Sequence, residues 1–97
     1  MIKGTKRQVK RTALFKKEYK LAQKQGKDMT QALDVIGKLA NDEPLPEKYR
    51  DHQLSGKWKD FRECHITPDW LLVYKKTDNG GLVLILTRLA SHSTLGF

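Results

Sequence analysis

Apolar residues recur along this chain with two different periods. From Leu14 to Gln25 the spacing is helical. Phe15, Tyr19 and Ala22 fall on one face, Leu14 and Leu21 lie beside it, and Lys16, Lys17, Lys20 and Lys24 lie mostly outside the stripe. Thr12 or Ala13 stands where this helix starts, and Gly26 can take the left-handed conformation that ends it. A second helix opens at Asp28, with Gln31 at capping-box spacing, and carries Met29, Ala32, Leu33, Ile36, Leu39 and Ala40 as a broad apolar stripe. The two- or three-residue link between the helices predicts an antiparallel hairpin.

Beyond residue 40 the period shortens. Asn41 to Lys57 reads as a long loop, because Pro44 and Pro46 exclude helix and Ser55-Gly56 marks a turn; it carries His52. Trp58 to Ile66 alternates as a strand, with Phe61, Glu63 and His65 on one face and Trp58, Arg62, Cys64 and Ile66 on the other. Thr67-Pro68-Asp69 breaks it, and Trp70 to Lys76 forms the next strand. Asp78-Asn79-Gly80-Gly81 signals a hairpin, since Asn-Gly suits a type I′ turn. Leu82 to Arg88, the most apolar strand, is expected at the centre of the sheet beneath the helices. Ahead of the helices, Gln8 to Ala13 predicts a short basic edge strand and residues 1–6 a flexible arm. With no repeat or low-complexity tract, residues 1–97 read as one domain with helices on one face of a sheet.

Charge changes this picture more than composition does. Residues 1–27 hold ten lysines and arginines against one acid, Glu18, a net +9. The remaining 70 residues therefore sum to −1 of the chain's +8. A block this basic implies a polyanionic partner. The longest apolar runs, Trp70–Tyr74 and Leu82–Leu86, are far short of the ~20 residues that span a bilayer, and the basic start is not followed by the apolar segment of a secretory signal. The single Cys64 cannot form an intrachain disulfide. These features point to a reducing, cytoplasmic setting with no membrane partner.

His52, His65, Asp69, Arg88 and His92 are the residues that could carry chemistry. Taken singly, each has an ordinary structural role: a loop histidine, a hydrogen-bonded strand histidine, a turn carboxylate, an arginine at a strand end, a histidine in a tail. Topology groups them. His65 and Asp69 flank one turn, and the last strand returns Arg88 and His92 to the same end of the sheet. Cys64 and His65 are adjacent in a strand and point to opposite faces, and neither Cys-x-x-Cys nor His-x-x-x-His spacing occurs. No glycine-rich phosphate loop is present, so the expectation is no metal and no cofactor.

One long pattern goes further. Asp51-His52-x-Leu54-x-Gly56-x-Trp58, then Phe61-Arg62-x-x-His65-x-x-Pro68-Asp69-Trp70-Leu71-Leu72-Val73-Tyr74, then Arg88-x-x-Ser91-His92 resembles the YafQ branch of the RelE superfamily of bacterial toxins. Leu21-Ala22-Gln23-Lys24 and Lys27-Asp28-Met29 look like the same branch. The resemblance implies an α+β fold with two N-terminal helices packed on a mainly antiparallel twisted sheet. It implies a type II toxin that cleaves messenger RNA on the ribosome and is neutralised by a cognate antitoxin, a toxin–antitoxin heterotetramer being one assembly open to the pair. Carried over by position, His52, His65, Asp69, Arg88 and His92 match the acid–base and phosphate-contacting residues, and Trp70 matches an aromatic beside the site. The branch commonly has an aromatic four residues after the last histidine; here Gly96 stands there and Phe97 follows.

The reading is then an endoribonuclease in which Arg88 steadies phosphate charge and the histidines move protons, with Trp70 and Phe97 against the substrate and Lys16, Lys17, Lys20 and Lys24 on RNA. The rival is a non-catalytic basic module that binds RNA or an acidic protein. Replacing those four lysines by Gln should weaken binding to ribosomes and flatten its dependence on salt, since each lost phosphate contact lowers the slope. An unchanged slope in a salt titration would remove the basic block from the interface.

Overall fold

The structure, a computed structural model, describes residues 4–96. The chain runs β1 (Gln8–Arg11), α1 (Ala13–Lys24), α2 (Met29–Ala40), β2 (His52–Gln53), β3 (Arg62–Thr67), β4 (Trp70–Thr77), β5 (Val83–Ala90) and α3 (His92–Leu95). The five strands form one sheet in the order β1-β5-β4-β3-β2. β1 lies parallel to β5, and every other pairing is antiparallel. This is the expected α+β arrangement of two helices on a mainly antiparallel sheet.

Local chemistry sets the helix starts. The Thr12 hydroxyl accepts the Phe15 N–H at 3.0 Å and donates to the Thr87 carbonyl at 2.8 Å, so the cap of α1 is also pinned to β5. Asp28 caps α2 by accepting the Thr30 and Gln31 N–H groups at 3.1 and 3.4 Å. The Gln31 side chain does not complete a capping box. It reaches across to the Ile66 carbonyl at 3.0 Å and ties the start of α2 to the end of β3.

Alternation along the strands divides the core into two unequal parts. On one face Cys64, Ile66, Leu72, Tyr74, Leu84 and Leu86 pack against Phe15 and Ala22 of α1 and Ala32, Val35, Ile36, Leu39 and Ala40 of α2. On the other face Leu71, Val73 and Leu95 are buried together, with Leu54, Phe61 and Ala90 packed around them. β4 is therefore buried from Trp70 through Tyr74 without interruption.

Several sequence expectations need correction. β4, not β5, is the middle strand, because β1 adds to the outer edge of β5. β3 begins at Arg62 rather than Trp58: Gly56–Trp58 form a 3-10 turn, started at Gly56 with φ +64 and followed by a second reversal in which Phe61 N–H donates to the Trp58 carbonyl. The stretch 41–57 is not unstructured, since it holds a 3-10 turn at Glu47–Tyr49 and the two-residue β2 with His52. The β4–β5 connection is not a type I′ turn. Thr77 pairs with Val83, and positive φ falls on Gly80 and Gly81 rather than on Asn79. Leu14 and Leu21, expected beside the buried stripe of α1, are 44% and 54% exposed. Of the arm expected at 1–6, residues 1–3 lie outside the described residues, while the Lys6 N–H donates to Asn41 Oδ1 at 3.1 Å.

The entry of the chain is stitched to its middle by one buried arginine. Arg7 Nε donates to Asp42 at 2.7 Å, and its Nη1 reaches the Thr77 and Val83 carbonyls at 3.2 Å each and Asp78 at 3.3 Å. Lys76 adds a bond to the same Asp42 oxygen at 2.8 Å. Hydrogen bonds from Arg7 and Lys76 hold the Asp42 carboxyl down at about 2. A depressed carboxyl stabilises the fold above its ordinary value near 3.8, and that contribution disappears as pH falls toward 2. Asp42→Asn should therefore lower stability at pH 7 by up to about 1 kcal/mol and lose that difference from the parent between pH 4 and 2. Urea midpoints measured across that range check it, and a constant difference would contradict it.

Candidate active site

The helix-free face of the sheet carries three imidazoles in a row. His65 sits in β3 opposite Leu71 of β4, and His52 sits in β2 opposite Glu63, two residues before His65 on the same face. The His52 and His65 ring centroids are 6.1 Å apart, and those of His65 and His92 are 5.3 Å apart. The rings come from three separate elements, so the small apolar cluster beneath them sets their spacing. Leu95 anchors α3, which begins at His92, while Leu54 and Phe61 anchor the segment that follows His52.

Each ring has its own environment. The His52 Nδ1 lies 2.7 Å from the Arg50 carbonyl, which can only accept, so this nitrogen carries a proton. Arg50 offers that carbonyl from a left-handed conformation, φ 48. The other nitrogen, Nε2, lies 3.3 Å from the buried carboxylate of Glu63. The start of β2 is held by Asp51, which accepts the Arg62 guanidinium at 3.0 Å and the Tyr74 hydroxyl from the core side. His65 is 9% exposed, and its buried Nδ1 has no hydrogen-bond partner among the described residues. Burial lowers its pKa below the ordinary 6.5; the Glu63 charge opposes that, and His92 and His52 add to it. His92 is exposed. Its backbone N–H donates to Asp69 Oδ1 at 3.1 Å, and Ser91 Oγ caps the same short helix at the Thr94 N–H.

Asp69 thus fastens α3 to the β3–β4 turn and meets His92 through the backbone rather than through the ring. Arg88 behaves differently from the other candidates. Its guanidinium forks onto Glu18 of α1, with Nε to Oε1 at 3.1 Å and Nη2 to Oε2 at 2.9 Å. Trp70 is 3% exposed and belongs to the core, with the Lys27 ammonium 5.5 Å from its ring. A ring so covered supports the site from beneath and offers no open face for a base to stack on. Lys16, Lys17, Lys20 and Lys24 are exposed along α1. The C-terminal part of α1 borders a cleft shared by Leu21, Gln25, Lys27, Asp69 and Thr94, which places the basic helix next to α3. Phe97 lies outside the described residues.

Sequence reasoning passed over Glu63, Arg50 and Glu18. Glu63 was legible as a strand neighbour of His65 on the same face, but its pairing with His52 depends on β2, which no period predicts in two residues. Beside His65 a cleft of about 480 Å³ opens, lined by Gln31, Lys48, Tyr49, Arg50, Thr67 and Pro68. Cys64 is fully buried, and burial pushes its thiol above the ordinary range, which removes it as a nucleophile. Among the described residues no group of three or more His, Cys, Asp or Glu could hold a metal ion.

Comparison with known proteins then decides the family. A family model described as a bacterial toxin of type II toxin-antitoxin system, YafQ, matches residues 7–96. The chain belongs to the YafQ toxin family. It is 40% identical over 90 residues to the mRNA interferase toxin YafQ of Escherichia coli K12, covering 92% of this chain and 95% of that one. YafQ in the crystal structure of the E. coli DinJ-YafQ toxin-antitoxin complex superposes with a TM-score of 0.83 at 40% identity, covering 93% of this chain and 97% of that one. A metal-bound toxin from Helicobacter pylori matches with a TM-score of 0.83 at 45% identity, covering 90% and 96%. As a YafQ-family toxin the chain is one half of a type II toxin–antitoxin pair. No helix among the described residues is long and apolar enough to cross a membrane.

If the apolar cluster sets the spacing of the rings, Leu95→Ala should damage function more than fold. Removing a buried leucine side chain costs about 2–3 kcal/mol at a site this close to the surface. Growth arrest on expression should weaken while circular dichroism still shows a cooperative melt at a lowered temperature. Full toxicity with a loosened α3 would contradict the link.

Proposed function

We propose that this toxin is a metal-independent endoribonuclease that cuts messenger RNA in the ribosomal decoding site. The observation that carries the reading is the row His52–His65–His92 on an open sheet face, with one ring buried and two exposed. In the reaction a ribose 2′-hydroxyl attacks the adjacent phosphorus. Its proton passes to a base as the O2′–P bond forms, and the P–O5′ bond breaks while an acid protonates the departing oxygen. The products are a 2′,3′-cyclic phosphate and a 5′-hydroxyl.

His65 is the base. Burial favours its neutral form at pH 7, so the ring has a lone pair to receive the 2′ proton. His92, exposed 5.3 Å away, is the acid. Asp69 holds the backbone that carries His92, and His52 with Glu63 completes the polar wall on the other side of His65. Arg88 meets the phosphate, because a planar guanidinium matches its oxygens. The lysines of α1 dock ribosomal RNA. The protein works in the cytoplasm, and a cognate antitoxin silences it, two toxins and two antitoxins forming the resting heterotetramer.

Single-turnover cleavage on programmed ribosomes tests the assignment. His65→Ala and His92→Ala should each lose roughly 10²–10⁴-fold in rate, with His52→Ala milder. Because the folded-state pKa of His65 is lowered, the rate should rise with pH along an acid limb centred below about 6.5, the value of a free imidazole. Toxin dialysed against EDTA and returned to magnesium buffer before it meets the ribosomes should cleave at an unchanged rate. Activity lost on that treatment and restored by zinc, or an acid limb above 6.5, would overturn the account.

A further inference from the structure

Glu18 is the one acid among the first 27 residues, in a block that otherwise carries ten positive charges. The fold places it against Arg88, and its use is fully determined by geometry. Oε1 accepts both Arg88 Nε–H at 3.1 Å and the backbone N–H of Leu89 at 2.9 Å, and Oε2 accepts Arg88 Nη2–H at 2.9 Å. Three donors from β5 converge on one carboxylate of α1. The Glu18 and Arg88 side chains are 10% and 19% exposed, so this is an ordered, largely dry contact rather than a surface ion pair.

A guanidinium has two edges that can fork onto two oxygens. The side edge, Nε with Nη2, is occupied by Glu18. The end edge, Nη1 with the second Nη2 hydrogen, carries no hydrogen bond among the described residues and can meet two oxygens of another group. Without a partner the arginine side chain would sample many rotamers, and either edge could meet an incoming phosphate.

We propose that Glu18 is the positioning residue of Arg88: it occupies the side edge, fixes the rotamer from outside the strand, and leaves the end edge as the only fork a phosphate can engage. This rests on the reading that Arg88 contacts the scissile phosphate. It also explains why a helix built to meet a polyanion retains one negative charge. That charge is turned inward onto the catalytic arginine and is not displayed to the RNA. Arg88 in turn keeps its proton, since the Glu18 hydrogen bonds and charge raise its pKa further.

A cycle of Glu18→Gln, Arg88→Ala and the double variant tests this by single-turnover cleavage on ribosomes. Glu18→Gln should slow cleavage by about tenfold or more in the Arg88 background, because the amide loses the negative charge and sets an NH2 donor against one arm of the fork. It should produce no further loss once Arg88 is alanine. Ribosome affinity should stay equal or rise, since the substitution removes a negative charge from a chain that binds a polyanion; damage to the fold would lower rate and affinity together. Should Glu18→Gln fail to fold, Glu18→Asp, which keeps the charge on a shorter arm, enters the same cycle with the same expected dependence on Arg88. In ¹H–¹⁵N spectra of the free protein the Arg88 Nε–H signal should be protected from exchange in the parent and lost in the variant. That readout needs no cleavage, so it separates a failure of the clasp from a failure of the catalytic reading. An equal rate loss with and without Arg88, an unchanged rate in Glu18→Gln, or an Arg88 Nε–H that exchanges freely in the parent would overturn the proposal.

Discussion

A strand buried on both faces needs cover on both, and β4 receives it from two unequal sources. Helices α1 and α2 cover one side with a full layer. On the other side, among the described residues, Leu95, Leu54, Phe61 and Ala90 cover Leu71 and Val73. That second cover is too small to spread over the sheet, so the next residues of β3 on that face are polar: Glu63 and His65 lie against His52, and His65 against His92. The same residues that shield Leu71 and Val73 deliver His92 on α3 and flank the segment after His52. The spacing of the three imidazoles and core burial are thus one constraint here, met by a handful of apolar contacts.

Charge is arranged on top of that frame with some economy. Several of the acids near the basic surfaces are each bonded to a specific cation: Asp42 to Arg7 and Lys76, Asp51 to Arg62, Glu18 to Arg88. Each of these carboxylates is balanced by the cation beside it, and the exposed lysines on α1 add positive charge at the surface. A field of that sign draws a polyanion toward the chain, and the open sheet face adjoins the end of the basic helix.

Long periodic segments were legible from sequence because their burial follows a single period. Both helices, the cap at Asp28, the start of α1 to within Thr12 or Ala13, and the β3–turn–β4 unit around Pro68-Asp69 were readable in this way. Two of the short elements were not. β2 is two residues long and α3 is four, and both exist because of tertiary contacts that no local pattern encodes. Trp58 fitted the alternation of the strand that follows it, yet Gly56 and the reversal at Phe61 turn the chain there. In the site, the grouping of His65, Asp69 and His92 followed from strand direction alone. The partners of His52 and Arg88 did not, since Glu63 and Glu18 reach them through β2 and across a helix–strand contact 70 residues apart in sequence. The family pattern named the residues; only the fold shows that Asp69 acts through the backbone and that Trp70 is enclosed.

The central claim is that two imidazoles, His65 and His92, move protons while the RNA supplies its own nucleophile. The most direct test is to present the toxin with ribosomes programmed with two messages that differ only by a 2′-deoxy nucleotide at the cleaved position, and to identify the ends formed. The account predicts a 2′,3′-cyclic phosphate or its 3′-phosphate hydrolysis product, a 5′-hydroxyl, and no cut in the deoxy-substituted message. A 5′-phosphate end, or equal cleavage of both messages, would contradict it, because attack by the 2′-hydroxyl can produce neither.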